Sequence, residues 1–341
     1  MIKSKLKIKN SKLFSFIVVL LSFTSTHASE KFDAVVAKDG SGTFRTVQEA
    51  INAAPENTAK PFVIFIKNGV YNEKVFIEKN NITLIGENRD STRIIYAELR
   101  ASWLKDYPGN DWGAAVLNIG NKASDLTFAN LTVYNNYGSL HDTTNHQFAV
   151  RGGGTRVIFL NCNLKADGGD TVSPWNTLDG MYYFSDCYFE GWVDYVCPRG
   201  WCFIENSRFF GHNLTASIWH DGSHDKDQKF VIRKSFFDGV KNFPLGRNHR
   251  DGQFFLIDCR FSENMLDKPI YQCSPAENYK WPSRYYYFNC SREGGNFSWF
   301  ANNLDKAAPK ITADKITPEW TFAGRWNPMP AVKNIKQKYK I

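Results

Sequence analysis

The chain has 341 residues, with 42 Lys and Arg against 34 Asp and Glu, 7 Cys, 10 Trp and a formal net charge of +8. Five of the lysines lie within the first 12 residues, and without them the charge falls to +3. No Lys/Arg cluster in the remainder has the footprint of a nucleic-acid binder. The cysteines show neither a Cys-x-x-Cys metal spacing nor a histidine partner pattern, so no metal or other cofactor is expected. A weakly positive surface still tolerates an acidic polymer.

Residues 1–28 read as an export signal. Lys3, Lys5, Lys7, Lys9 and Lys12 form a basic leader, and residues 14–23 form an apolar run too short to span a bilayer comfortably. Thr26-His27-Ala28 ends the run with small residues at the cleavage-setting positions. Residues 29–341 contain no Pro/Ser-rich linker and are expected to form one domain. Export permits disulfides, but the odd cysteine count leaves at least one thiol free, and the seven read as buried packing residues with one bridge at most.

Further along, Asp39-Gly40-Ser41-Gly42 is a turn cluster, and Thr46-Val47-Gln48-Glu49 is a capping box. Val47, Ala50, Ile51 and Ala54 follow at helical spacing until Pro55, which predicts one short amphipathic helix. It is the one convincing helix in the sequence. Short strands follow at 62–66, 75–77 and 82–85, and the lysine-rich end from Lys333 reads as a solvated tail.

The organising pattern is a repeat. Phe159-Leu160-Asn161-Cys162-Asn163-Leu164 matches Phe184-Ser185-Asp186-Cys187-Tyr188-Phe189, and copies recur around Ser207, Ser235, Cys259 and Cys290. The small Cys/Ser positions are 25, 20, 28, 24 and 31 residues apart. Periods in this range mean stacked supersecondary units, here of strands and turns. Alternation along each strand puts the small residue and its apolar neighbours on one face. The expected fold is all-β: a single-stranded, right-handed parallel β-helix with a ladder of small side chains inside. The predicted helix would cap its N-terminal end, and the variable spacing would come from loops leaving one face.

Without a metal cluster, a nucleophile elbow or a phosphate loop, carboxylates are left to carry chemistry. Asp170 (in Gly168-Gly169-Asp170-Thr171) stands 24 residues before Asp194 (in Gly191-Trp192-Val193-Asp194), and Arg247 stands 53 residues after it. On successive coils two aspartates approach to about 5 Å, where one carboxyl is pushed toward the acid and the other stays charged. Arg247 is the cation that would hold one of them ionised, and Gln147 is an uncharged donor one coil earlier that suits an oxyanion. The plainer alternative is a pair of turn aspartates bonded to backbone, with Arg247 in an ordinary ion pair.

Several blocks, taken in order, resemble pectin methylesterases. They are Asp39-Gly40-Ser41-Gly42 with 46–55, Gly69-Val70-Tyr71-Asn72-Glu73, Gln147-Phe148-Ala149-Val150-Arg151, Asp170-Thr171, Gly191 to Val196, and Leu245-Gly246-Arg247. That family is a right-handed parallel β-helix. The resemblance implies that Asp194 attacks the methyl ester of a galacturonate unit, that Asp170 is the general acid and then base, that Gln147 stabilises the oxyanion and that Arg247 orients Asp194. It also implies a secreted or periplasmic protein acting on methyl-esterified pectic polysaccharide, expected as a monomer without nucleic-acid partners or stable membrane insertion.

The sequence departs from the family at several site positions. In the family a second glutamine normally precedes the acid/base aspartate and shares the oxyanion work, and here that position is Gly169. Leu-Gly-Arg-Pro-Trp continues as Leu245-Gly246-Arg247-Asn248-His249, so His249 replaces an aromatic platform. Phe-Ile-Phe-Gly reads Tyr195-Val196-Cys197-Pro198, and Trp175 lies in extra residues between the two aspartates. His249, Trp175, Tyr195 and Cys197 are therefore the expected substrate contacts. A galacturonan depolymerase and a β-helix that binds pectin without cutting remain the alternatives.

Overall fold

Each repeat unit folds into a coil of short parallel strands stacked on the coil before it. The computed structural model describes residues 32–341 except 57, 221 and 224, so the export signal of residues 1–28 lies outside the described residues. Three faces run along the solenoid. The first is a ten-stranded sheet from Ala34–Val36 to Arg284–Phe288, and the second a nine-stranded sheet from Gly69–Asn72 to Ser291–Arg292. In both, every strand pairs in parallel with its counterpart one coil away, which is a right-handed parallel β-helix. The third face has four strands, Val75–Ile77, Ala115–Ile119, Phe148–Gly152 and Val172–Pro174, then three, Ile218–His220, Gly246–Asn248 and Tyr271–Gln272. Single bridges Val172↔Val196 and Val196↔Ile218 join the two groups.

The interior is filled by like residues in register. Phe189, Phe209 and Phe237 stack at 4.9 and 4.1 Å between centroids. The expected small-residue ladder is present: the Cys187 N–H donates to Ser207 Oγ and the Ser207 N–H to Ser235 Oγ, each at 3.1 Å. All seven cysteines are free thiols. The residue before each rung is Asn130, Asn161, Asp186, Asn206, Lys234, Asp258 or Asn289, all with φ between 48° and 59°. Asn and Asp tolerate this left-handed backbone better than other non-glycine residues, which explains their recurrence in the repeat.

Helix α1 (Val47–Ala53) forms as expected, with both capping-box bonds made. The Glu73 carboxylate accepts the Val47 and Gln48 N–H groups at 2.9 and 3.0 Å, so the Gly-x-Tyr-x-Glu block ties the helix to the coils. Val47, Ala50 and Ile51 are buried against the first coils, and the helix covers the open end of the solenoid.

Two expectations are corrected. Further helices occur at Arg100–Asp106, Tyr137–His141, Pro318–Thr321 and Met329–Tyr339. The end from Lys333 is not a solvated tail: it lies in the Met329–Tyr339 helix, whose Val332 and Ile335 are buried with Tyr183, Phe203, Val231 and Phe255 of the first sheet. Lysines at 333, 336, 338 and 340 hid an apolar pair at i, i+3 spacing. Lys336 also reaches Asp186 at 2.7 Å. The first sheet is thus covered on both faces, which is why its strands are continuously apolar.

Candidate active site

The third face holds the candidate residues. Val172 pairs with Val196, Val196 with Ile218 and Ile218 with Gly246, which puts Asp170 and Asp194 at equivalent positions on consecutive coils and Arg247 on a later one. The Asp170 N–H donates to the Val193 carbonyl at 2.9 Å and the Asp194 N–H to the Ala216 carbonyl at 2.8 Å. Both aspartates have left-handed backbone, with φ of 60° and 52°. That conformation turns each side chain out of the strand alternation at the edge of the sheet, and aspartate accepts it at modest cost.

Asp194 and Arg247 form the bidentate pair expected from the sequence: Nε to Oδ1 is 3.1 Å and Nη2 to Oδ2 is 2.6 Å. Burial pushes the Asp194 carboxyl up, to about 6, against the pull of Arg247's hydrogen bonds and charge, and the charge of Asp170 adds to the rise. Burial also acts to lower Arg247, but the bonds and charge of Asp194 outweigh it and the guanidinium's pKa is raised. The pair is therefore a carboxylate and a guanidinium at neutral pH. Asp170 is buried but accepts no hydrogen bond from the described residues; the His146 imidazole stands beside it, with Nε2 3.7 Å from Oδ1. One carboxylate is clamped by an arginine and the other is held by no side-chain hydrogen bond among the described residues.

Gln147 is not placed as an oxyanion donor. It is 0 % exposed, its Oε1 accepts the Gly138 N–H at 2.8 Å, and its Nε2 donates to the Thr143 and Asn145 carbonyls at 3.1 Å each. Both amide hydrogens are engaged in holding the 137–145 segment, and Gly168 lies over the amide. Gly169 has no room to supply the other donor, since a Cβ there would meet Val193 Cγ1 at 2.7 Å and the Val193 carbonyl oxygen at 3.0 Å.

The expected sugar contacts divide. Tyr195 and Cys197 are both 0 % exposed and cannot touch a substrate. Tyr195 turns into the solenoid, 6.5 Å from Phe209, and Cys197 is covered, its carbonyl accepting from Arg199 Nη1 at 2.9 Å. Trp175, by contrast, is 44 % exposed, with its ring over Arg199 at 3.7 Å and over Arg151 at 4.0 Å. His249 is half-buried, edge-on to Trp219 at 4.7 Å.

Sequence reasoning missed the supports of this wall. Arg199 is buried between Trp175 and Trp219, at 3.7 and 4.1 Å from their rings, and donates to Ser173 Oγ at 2.8 Å. Arg151 donates to the same oxygen at 2.8 Å and pairs with Asp111 at 2.7 Å. Burial, and then the charge of Arg199, pulls Arg151 down to about 10. The available signal was the departure after Val196, where Pro198-Arg199-Gly200 brings a charge close to Asp194 in sequence. Among the described residues, no three His, Cys, Asp or Glu side chains converge to hold a metal ion.

The comparisons agree with this architecture. The family model for pectinesterase matches residues 33–237, which ends before Arg247 and His249. A probable pectinesterase of Arabidopsis thaliana is 35% identical over 183 residues, covering 53% of this chain and 58% of the relative. A pectinesterase of Petunia integrifolia is 30% identical over 211 residues, covering 60% and 53%. The chain spans about half the length of the curated relatives it matches. Among solved structures, the pectin methylesterase of Erwinia chrysanthemi superposes with a TM-score of 0.68 at 23% identity, over 87% of this chain and 98% of that one. That of carrot gives 0.63 at 22% identity, over 78% and 85%. These two likenesses establish the fold. With the family match over more than half its length, the chain belongs to the pectinesterase family.

Proposed function

We propose that this chain hydrolyses methyl esters of galacturonate units in pectin and releases methanol. The observation that carries the reading is the Asp170–Asp194 pair with Asp194 clamped by both bonds of Arg247. In this reading the ionised Asp194 adds to the ester carbonyl. The tetrahedral intermediate collapses as Asp170 gives its proton to the departing methoxide, leaving methanol and an acyl-enzyme anhydride. Asp170, now a carboxylate, takes a proton from water as the water attacks the anhydride carbonyl. The galacturonate acid and the Asp194 carboxylate are restored, and one water is consumed per methanol released. Arg247 keeps Asp194 charged and aimed throughout.

Exposed Trp175 offers a flat apolar face for a sugar ring, held from below by two guanidiniums. A solved pectin methylesterase in complex with a hexasaccharide supports an oligosaccharide as ligand for this fold. The wall differs from the family's enough to favour a substrate other than plain homogalacturonan. The basic, then apolar leader of residues 1–28 supports export, to the periplasm or the medium. Among the described residues, no helix is long and apolar enough to cross a membrane.

A second reading has a specific observation behind it. Gln147 is engaged and position 169 has no side chain, so a binder of pectic polymer that no longer cuts is the alternative. Methanol and new reducing ends assayed in the same reaction, on highly methylated homogalacturonan and on branched pectic fractions, separate the readings. Methanol without reducing ends supports the esterase. Reducing ends without methanol indicate a depolymerase, and polymer retention with neither product indicates the binder.

A further inference from the structure

An ester hydrolysed through a tetrahedral intermediate needs a donor for its oxyanion, and removing one such donor typically costs about 10²–10³ in kcat. Neither glutamine position offers one: both hydrogens of the Gln147 amide bond backbone carbonyls, and Gly169 is walled in by Val193. Arg151 and Arg199 are buried: Arg151 is committed to Asp111 and Ser173, and Arg199 Nη1 to Ser173 and the Cys197 carbonyl, with the Arg199 Nε covered beneath the surface.

His146 is the side chain that faces the gap. Its own chain neighbour Gln147 turns inward and is fully covered, while the His146 side chain is 49 % exposed beside Asp170. Its Cδ2 lies 3.6 Å from where a Cβ on residue 169 would stand, so the imidazole occupies the neighbourhood a glutamine at 169 would enter. Nε2 is 3.7 Å from Asp170 Oδ1, beyond hydrogen-bond length, so this nitrogen is not tied to the carboxylate. The residue is anchored through its backbone, whose carbonyl accepts the Arg100 N–H at 3.1 Å.

We propose that His146 is a catalytic residue of this chain, its Nε2–H donating to the oxyanion formed when Asp194 adds to the ester carbonyl, in place of the glutamine amides. The inference rests on the esterase reading. A neutral imidazole with its proton on Nε2 suffices; the role is donation and no proton is transferred.

The test is the steady-state kinetics of methanol release by the mature protein and by His146→Ala and His146→Gln, with Asp194→Asn as blank and thermal unfolding as a check on folding. The expected result is a loss of about 10²–10³ in kcat for His146→Ala with KM little changed. His146→Gln, an uncharged donor with no titration, should recover at least about tenfold of that loss. A kcat for His146→Ala within about threefold of wild type, or a loss confined to KM, overturns the proposal. So does His146→Gln as slow as His146→Ala, which would assign the imidazole to proton transfer. Wild-type protein that releases no methanol from any methylated pectin overturns the esterase reading and this inference with it, whereas an active wild type and an equally active His146→Ala overturn the inference alone.

Discussion

Replacing Arg247 by glutamine should move the acidic limb of the pH–rate profile. Asp194 is buried, its pKa stands at about 6, and the two bonds from Arg247 at 3.1 and 2.6 Å are the largest influences holding it down. Removing one partner of a buried pair leaves an uncompensated charge at a cost of about 3–5 kcal/mol. A carboxylate avoids most of that cost by taking up a proton, and at about 1.4 kcal/mol per pKa unit the rise is roughly 2 units or more. In the proposed reaction Asp194 acts as a carboxylate, so activity is expected to fall as pH drops through its pKa. At pH 7 the ionised fraction would drop from about 0.9 to about 0.1 or less, and kcat/KM would fall at least tenfold from this effect alone. The assay is initial methanol release across pH 4 to 10, corrected with Asp194→Asn for spontaneous ester hydrolysis, and repeated in His146→Gln, which carries no titratable group at that position. An acidic limb near 6 in both wild type and Arg247→Gln would refute the argument, because Arg247 would then not be what keeps Asp194 charged.

Two further predictions concern residues whose surroundings only the structure reveals. Gln147→Ala should lower stability by about 1–3 kcal/mol, since it leaves the Gly138 N–H and the carbonyls of Thr143 and Asn145 without their partner. Urea unfolding measures this, and unchanged stability with a selective collapse of kcat would instead restore Gln147 as the oxyanion donor. Ile335→Ala should cost about 2–4 kcal/mol, because the side chain is buried against the first sheet. A midpoint indistinguishable from wild type would mean that the Met329–Tyr339 helix does not cover that sheet in solution.

The fold was largely legible because its signal is repeated. Each coil restates the same Asn/Asp, small residue and apolar alternation, and the register that follows from it puts Asp170 over Asp194 without further information. The Arg247 pair was legible for the same reason. What stayed hidden depends on where side chains turn. Gln147 and His146 are adjacent, and nothing in the sequence tells that the amide is bonded inward while the imidazole faces Asp170. Tyr195 and Cys197 looked like groove walls by their place after Asp194, yet the chain carries both beneath the surface. Arg199 was passed over because an arginine near a groove ordinarily faces solvent, whereas here two indole rings and Ser173 bury it. The C-terminal helix was masked by its lysines, which point away from the sheet's apolar face or, as Lys336 does, pair with Asp186.

The central claim is that two aspartates on adjacent coils form one hydrolytic unit. The most direct measurement is methanol release from methylated pectin by wild type, Asp194→Asn and Asp170→Asn, each with an unchanged melting temperature. The account predicts release by wild type, none above background from Asp194→Asn, and a loss of at least about 10²-fold for Asp170→Asn, whose amide keeps the shape and cannot give the proton. Either variant turning over near the wild-type rate would contradict it.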